Sequence, residues 1–579
     1  MTAITPAGVS ARRTQSPRRG LPVFRPVGWL ITLAVCLAVA YPVGHVVAKI
    51  FEYDGPHWRL AQIARDAVGH DALVALGNTA AVVAAAGGGA FVVGVVLAFI
   101  NERTDARLGW AADILPVLPM LVPPVAGAIG WVFLASPVSG FLNSAIRSVL
   151  NHVGVHLTQG PLHIYTWPGL IFVYMLYLTP FVYLPISAAL RTLESSLEEA
   201  ARVSGAGPWE TMRRVTIPSL RPAVGAALLY VVGNGFAMFT VPIVIGTQAG
   251  ISILPVKIVN AMTSYPQDLS RALGLGVWVV VIVGAAWWLQ TRLASVGRHA
   301  TIGGKGAGST RVRLGFWKWP ARLAMLLYLL ATSVLPFLAL LVVSLQPFWN
   351  PTILWHTLGL GNFRRMIHDS QLGVGLKNSV FLGLTTATIT ILLTAVVISI
   401  VQSRRSRVGR LADGVMKLPL VVPHVVFAVA LVLAFAGAPF HWSGTFFILG
   451  LGYLILYLPQ AAVQSAAAFA QVGAPLREAA AVAGAGPGRI FRSVLLPLMT
   501  PQLAAGWALL FVLMAGDVTA SVMLAGSKTP VVGFVIVNEW ETGTFAGIAA
   551  LSVIIAAVSS VIVLTVLRFS RTTRFSIRA

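Results

Sequence analysis

Long apolar runs, separated by short polar stretches, make up most of this chain. A run of about 20 apolar residues can cross a bilayer as a helix, and a backbone in lipid must satisfy its own hydrogen bonds, which favours helices. The pattern predicts twelve spans in two sets of six. The first set lies near 27–50, 72–100, 111–135, 166–190, 222–246 and 270–293. The second set lies near 320–347, 376–401, 411–436, 443–469, 501–526 and 545–567.

The composition agrees with an all-α polytopic membrane protein. The 579 residues are 57% hydrophobic and 10% charged, whereas a soluble domain carries about 25% charged residues. The net charge of +23 does not indicate a nucleic-acid binder, because the basic residues lie in short gaps between apolar runs. The single cysteine, Cys36, lies in the first run, and no Cys/His spacing typical of a metal site occurs. We therefore expect no metal on this chain.

The basic residues predict the orientation of the chain. If the N-terminus lies in the cytoplasm, 31 of the 41 Lys and Arg residues fall in inner segments and 10 in outer ones, and the cytoplasmic side normally carries this excess. Both termini are therefore expected in the cytoplasm. The predicted divisions are a basic tail (1–26), a six-helix unit (27–294), a Gly-rich cytoplasmic linker (295–319), a second six-helix unit (320–567) and a basic tail (568–579).

Each half of the chain contains one copy of a charged, glycine-interrupted segment. The first copy is "EEAARVSGAGPWETMRRVTIPSLRP" (Glu198–Pro222), and the second is "REAAAVAGAGPGRIFRSVLLPLMTP" (Arg477–Pro501). Asn78-Thr79 and Asn378-Ser379 also open the second span of each unit. An even number of spans per unit gives the two copies the same orientation, so the pattern predicts two parallel six-helix repeats.

Within each copy, small residues begin a helical stretch and a glycine interrupts it. Glycine adopts backbone angles that other residues avoid, and proline is tolerated in the first turn of the helix that follows. The same spacing in both halves is not expected of an ordinary loop. The candidate residues are Glu199, Ala200, Ala201, Gly205 and Pro218 in the first copy, and Glu478, Ala479, Ala480, Gly484 and Pro497 in the second.

The pattern E-A-A-x-x-x-G, followed after nine residues by an apolar residue, any residue, an apolar residue and Pro, resembles the motif of permease subunits of binding-protein-dependent ABC importers. In that family the motif docks into a groove on an ATPase subunit, so we call 199–218 and 478–497 the first and second coupling segments. The resemblance implies a type I ABC importer permease fold in the bacterial cytoplasmic (inner) membrane. It also implies two copies of an ABC ATPase, which bind ATP and Mg, and an extracytoplasmic substrate-binding protein.

No phosphate-binding loop is found on this chain. The linker stretch "GGKGAGST" places Lys305 before Gly306 and Gly308, whereas a phosphate-binding loop has the order G-x-x-x-x-G-K-[ST]. We therefore expect a transport subunit rather than an enzyme, with no catalytic residues and no cofactor of its own. ATP hydrolysis is expected on a separate chain.

The fused pair of six-helix units resembles the iron(III)-type permeases. The stretches at 241–276 and 521–553 look like the regions after the fifth and eleventh spans of those subunits. Thiamine, phosphonate and polyamine permeases share much of the pattern, so these cargoes stay open. A twelve-helix secondary transporter is a further alternative, because "TDARLG" (Thr104–Gly109) lies where that class carries a D-R-x-G-type loop. However, Arg107 falls two residues after Asp105, and no basic cluster follows.

Polar residues within the spans are candidates for a substrate pathway. Asp517 has no basic residue in its own span. Facing lipid it would cost about 2.5–3.5 kcal/mol, so we expect it to face the interior. The matching position of the first half carries Met238. Hydrogen bonding between helices is the alternative role for such residues. The weaker candidates are His424, Asn234, Asn378 and Thr519.

Overall fold

Helices make up almost all of the regular structure in this computed structural model. The residues described are 24–54, 57–108, 123–192, 200–201, 203–296, 312–368, 371–403 and 407–576. One antiparallel pair of short strands, β1 (Tyr53–Asp54) and β2 (His57–Trp58), forms the only sheet among these residues. The helices carry the rest of the architecture.

The helices of the first half follow one another along the chain. They are α1 (Phe24–Ile50), α2 (Arg59–Val68), α3 (His70–Arg103), α4 (Pro124–Ala135), α5 (Phe141–His152), α6 (Trp167–Thr192), α7 (Pro208–Thr211), α8 (Ile217–Ser219), α9 (Arg221–Ala237), α10 (Leu254–Thr263) and α11 (Leu269–Val296). π-helical turns occupy Met212–Thr216 and Pro242–Gly246.

The second half repeats this order. Its helices are α12 (Lys318–Leu329), α13 (Leu335–Leu345), α14 (Gly361–His368), α15 (Leu372–Ser403), α16 (Arg407–Met416), α17 (Leu418–Val421), α18 (His424–Phe435), α19 (Phe446–Gln471), α20 (Ala474–Val482), α21 (Pro487–Ile490), α22 (Leu496–Ala515), α23 (Thr519–Leu524), α24 (Val532–Thr542) and α25 (Phe545–Ser576). π-helical turns occupy Leu330–Val334 and Phe491–Leu495, and 3₁₀ turns occupy Gly315–Trp317 and Trp355–Thr357.

The described helices confirm an all-α polytopic membrane protein. Nine of them are long and apolar enough to cross a membrane, and up to eleven are if each of two bent pairs counts as one span. The twelve spans predicted from the sequence therefore exceed what these residues contain. Part of the third predicted span, 111–122, lies outside the described residues.

Three predicted spans are wrong as unbroken helices, namely 222–246, 411–436 and 501–526. The second of these bends by 106° between Arg407–Leu420 and His424–Phe435. Pro423 accounts for the bend, because proline pushes the preceding residue out of helical angles, and Val422 has φ −93° and ψ 113°. The other two are interrupted after α9 and after α22.

An asparagine near the start of the second span braces the connection that precedes α10 or α24 in its half. Asn78 Nδ2 donates to the carbonyl of Ser252 at 3.1 Å, and Asn378 Nδ2 donates to the carbonyl of Pro530 at 2.8 Å. The first bond ties α3 to the chain just before α10. The second ties α15 to the chain just before α24. The repeat therefore extends to individual side-chain contacts.

The first span of each half packs against the other half. α1 contacts α15, α16 and α18, while α13 contacts α4. The second crossing is close, since a Cβ at Gly130 would lie 2.6 Å from the carbonyl oxygen of Pro336. Trp131 Nε1 also donates to the carbonyl of Ala331 at 3.0 Å. The two halves therefore interlock instead of standing side by side.

Candidate functional site

The first coupling segment contains a helix cap at Gly205. The amide of Ser204 donates to the carbonyl of Ala200, and the amide of Ala206 to the carbonyl of Ala201, both at 3.0 Å. Gly205 has φ +86°, an angle that costs other residues strain. This is the Schellman arrangement that ends many helices. Because no atom lies within 4 Å of a Cβ built at Gly205, the backbone angle rather than space requires the glycine.

The second coupling segment repeats the cap bond for bond. The amide of Ala483 donates to Ala479 at 2.9 Å, and the amide of Ala485 donates to Ala480 at 3.0 Å. Gly484 has φ +80°. Both glycines therefore fix a sharp, defined turn between two helical pieces.

The structure describes three of the four acidic and proline residues of the two motifs. Glu478 is exposed on α20, whereas Glu199 lies outside the described residues. Pro218 is half-buried and Pro497 is exposed, each within the first turn of a helix. The acid that begins the motif is therefore open to a partner in the second segment.

An exposed valine precedes each cap, and the sequence prediction did not identify it. Val203 and Val482 are each 90% exposed and lie 279 positions apart. A single exposed valine needs no explanation. The same exposure at matched positions on the two capped turns makes these valines candidates for a contact surface. The 279-residue spacing could have singled these residues out once the motif was aligned.

A π-helical turn follows each cap. It covers Met212–Thr216 in the first segment and Phe491–Leu495 in the second, again 279 positions apart. π turns are rare and occur frequently at functional sites. Sequence patterns do not separate such a turn from an ordinary helix, and the expected second helix of each segment carries this turn in the structure.

The two segments join the helices that follow them differently. Met212–Ser219 meets α9 with a bend of 55°, whereas Pro487–Ala515 passes as one helix. The break falls at Leu220, which separates α8 from α9. Pro222 and Pro501 occupy matching positions after the motif, so the prolines do not explain the difference.

Asp517 lies in a helix break and is fully engaged with its own chain. Its Oδ1 accepts from the amides of Ala520 at 2.9 Å and Ser521 at 3.1 Å. Its Oδ2 accepts from the hydroxyl of Tyr457 at 2.8 Å. The carboxylate therefore caps α23 as an N-cap residue does and ties it to α19. The expected position in mid-span is wrong, because α22 ends at Ala515.

Further polar groups surround this break. The Ser521 hydroxyl donates to the Asp517 carbonyl at 2.6 Å, and the Tyr453 hydroxyl lies 2.7 Å from Ser521 Oγ. His424 meets the Tyr457 ring edge-on, with 5.4 Å between centroids. Asp517 and His424, two of the pathway candidates, thus meet at one tyrosine.

The remaining pathway candidates lie apart from one another. Thr519 begins α23 and is buried beside Asp517. Asn234 donates to the carbonyl of Tyr230 at 2.8 Å, within its own helix, and Asn378 makes the brace described above. Among the described residues no group of three His, Cys, Asp or Glu side chains could hold a metal ion.

Two stretches of the chain, 90–295 and 399–574, match the family described as binding-protein-dependent transport system inner membrane component. The chain belongs to this family. A probable ABC transporter permease protein of Sinorhizobium fredii is 28% identical over 395 residues, covering 66% of this chain and 67% of its own length. A ferric transport system permease protein of Actinobacillus pleuropneumoniae is 23% identical over 554 residues, covering 92% and 76%. A trehalose transport system permease protein of Mycobacterium tuberculosis is 28% identical over 149 residues, covering 26% and 46%.

The family assignment confirms the resemblance to a fused ABC importer permease of the type I fold in the inner membrane. It decides against a secondary transporter. The "TDARLG" stretch that suggested this alternative has another contact. Asp105 Oδ1 accepts from the amide of Leu314 at 3.1 Å, so this loop holds the end of the linker.

Proposed function

We propose that this permease passes a substrate, delivered by an extracytoplasmic binding protein, across the cytoplasmic membrane, and that two copies of a separate ATPase drive it. The pair of coupling segments carries the proposal, because each presents the same capped turn with an exposed valine. Two equivalent surfaces favour two ATPase subunits. ATP and Mg would be bound there, with no cofactor or catalytic residue on this chain.

We propose iron(III) as the cargo. Similarity to the ferric permease of Actinobacillus pleuropneumoniae extends over 92% of this chain, whereas the trehalose relative matches 26%. Length of similarity supports ferric transport over sugar transport. Thiamine, phosphonate and polyamine are the other cargoes to be tried in the same assay.

The test is transport in proteoliposomes that contain the permease and its ATPase, with ATP enclosed and the cargo-loaded binding protein added outside. Uptake of radiolabelled iron is expected only when all three proteins and ATP are present. Uptake of another cargo in place of iron would overturn the proposal that iron(III) is the cargo. ATP hydrolysis by the purified single chain would overturn the assignment of hydrolysis to a separate ATPase.

We propose that both termini and the linker lie in the cytoplasm, as the charge bias indicates. Reporter fusions at Gly306 and Ala579 should be active only with a reporter that functions in the cytoplasm. A periplasmic signal at either position would reverse the orientation. It would also remove the coupling segments from the side on which ATP is available.

We propose that Asp517 supports the substrate pathway by holding the break between α22 and α23 open. Its bonds to Tyr457 and to the start of α23 favour a brace, and a buried acid within a membrane normally faces the protein interior. His424 and Thr519 would line the same break. Asn234 and Asn378 remain weaker candidates for the pathway.

A further inference from the structure

The cytoplasmic end of α3 carries an acid that holds the helix leading into the first coupling segment. Glu102 has a side chain only 10% exposed. Its Oε1 accepts from Ser187 Oγ at 2.7 Å and from Arg191 Nη2 at 2.9 Å. Ser187 and Arg191 are four residues apart on α6 and so share one face of that helix. A charge-assisted bond of this kind is among the stronger side-chain contacts.

A second residue extends the same contact by one turn. Asn101 Nδ2 donates to the Tyr183 hydroxyl at 2.8 Å and to Glu102 Oε1 at 2.9 Å. Tyr183 precedes Ser187 by four residues, so three successive turns at the end of α6 are clasped by α3. α6 ends at Thr192, and the first coupling segment is described again from Ala200. The clasp therefore lies immediately before the docking surface.

The same end of α3 also holds the linker. The amide of Val312 donates to the carbonyl of Arg103 at 2.8 Å, and the amide of Asp105 donates to the carbonyl of Val312 at 3.2 Å. Lys318, at the start of the second half, lies 3.7 Å from Asp105 Oδ2. Through α3, the end of α6 is thus tied to the point where the two halves join.

The second half has different residues at the matching positions. Gln402 stands where α3 has Glu102, and Ala466 and Ala470 stand where α6 has Ser187 and Arg191. The second coupling segment has instead the Arg477 guanidinium over a phenylalanine ring, 4.5 Å from its centroid. An ionic clasp at these positions therefore belongs to the first half.

We propose that Glu102 is a positioning residue for the first coupling segment and that it sets the docking of one of the two ATPase subunits without affecting the other. This inference rests on the proposed coupling function. The Glu102 carboxylate holds the end of α6, and the end of α6 determines where the capped turn and Val203 lie. The two ATPase docking sites are then held in place by different side-chain contacts.

The test uses the full chain in a Cys36→Ala background, reconstituted with its ATPase and binding protein. Val203→Cys and Val482→Cys are introduced separately and linked to ATPase lysines with a bifunctional reagent. Glu102→Ala should lower the cross-linking rate at Val203→Cys roughly tenfold, the size expected for loss of a charge-assisted bond. It should leave the rate at Val482→Cys unchanged. Gln402→Ala, at the matching position of the second half, should change neither rate.

Two further variants separate positioning from general stability. Glu102→Gln keeps an acceptor for Ser187 but loses the charge, so a smaller fall at Val203→Cys is expected, and this variant carries the comparison if Glu102→Ala folds poorly. The exchange Glu102→Arg with Arg191→Glu should restore the rate. Equal loss at both sites, no loss at either site, or failure of the exchange to restore the rate would overturn the inference. Absence of cross-linking at both sites with Glu102 intact would instead overturn the proposed coupling function.

Discussion

The first and second coupling segments share the same capped turn with an exposed valine but differ in how the membrane helices hold it. Both have a Schellman cap at a positive-φ glycine, an exposed valine and a π turn. The first segment meets its membrane helix at 55° and follows an ionic clasp at Glu102. The second segment continues into its membrane helix without a break. The capped turn is therefore the same in both halves, whereas the helix contacts that hold it differ.

The helix breaks after α9 and α22 show the same divergence inside the membrane. Met238 follows the first break, and its carbonyl accepts from the Tyr174 hydroxyl at 3.2 Å. Asp517, 279 positions later, accepts from the Tyr457 hydroxyl through its carboxylate at 2.8 Å. A backbone carbonyl accepts the tyrosine hydroxyl in one half, and the carboxyl group of an acidic side chain accepts it in the other. The break is therefore common to both halves, and only the second half has an acidic residue there.

The largest effect is expected from replacing the exposed valine of both coupling segments. Val203→Asp combined with Val482→Asp should abolish association with the ATPase, because burying each valine contributes about 2 kcal/mol and an aspartate cannot be buried unpaired. Co-purification of the ATPase with the permease measures this. Val155→Asp, in the connection between α5 and α6 and 47% exposed in the native chain, is the control and should retain the ATPase. Normal association of the double variant would show that the valines are not the contact.

A smaller effect is expected from straining one cap at a time. Gly205→Ala and Gly484→Ala should each weaken coupling, because an alanine at positive φ costs about 1–2 kcal/mol. ATPase stimulation by the binding protein measures the result, and Gly207→Ala serves as the matched control without a positive φ. Because the two supports differ, unequal losses are expected. Identical losses would remove the distinction between the two segments.

The break at Asp517 should respond to the shape of the side chain and to its charge separately. Asp517→Ala leaves the buried amides of Ala520 and Ser521 without an acceptor, which costs about 1–3 kcal/mol. Asp517→Asn keeps an acceptor, so thermal stability and expression should hold while transport falls. Met238→Leu is the control in the first half and should transport normally. Unchanged transport in Asp517→Asn would leave the charge without a role in the pathway.

The smallest effect is expected at the linker contact, and it depends on pH. The amide of Leu314, followed by Lys318, lowers the pKa of the Asp105 carboxyl from its usual 3.8. A lowered pKa in the folded protein means that the stabilisation is present above about pH 3.8 and is lost as the pH falls through the folded value. The small difference in melting temperature between the native chain and Asp105→Asn should therefore shrink under acid. A difference that grows under acid would contradict the contact.

Much of the fold and part of the site could be predicted from the sequence. Spans follow from the length of apolar runs, since each helix satisfies its own backbone in lipid, and the described helices confirm an all-α polytopic protein. The duplicated motif led to the family, which the match over both halves confirms. The glycines could be predicted because a positive φ needs glycine wherever the turn occurs.

Other parts could not be predicted because they depend on residues distant in sequence. The break at Asp517 is stabilised by Tyr457, 60 positions earlier, and an apolar run interrupted by one acid looks like a single span. The clasp at Glu102 joins residues 85 and 89 positions apart. No local pattern distinguishes these contacts from an acid at a solvated helix end.

The sequence by itself determined the helical, membrane-spanning character of the chain, the duplication and the capped turns, because each depends on local backbone chemistry and on the solvent around it. Only the tertiary structure decided the bend at Leu220. The matching prolines Pro222 and Pro501 precede a bent path in one half and a straight helix in the other. It also decided that α1 and α13 pack across to the opposite half. Such choices depend on which neighbours a helix meets, and packing against them outweighs local preference.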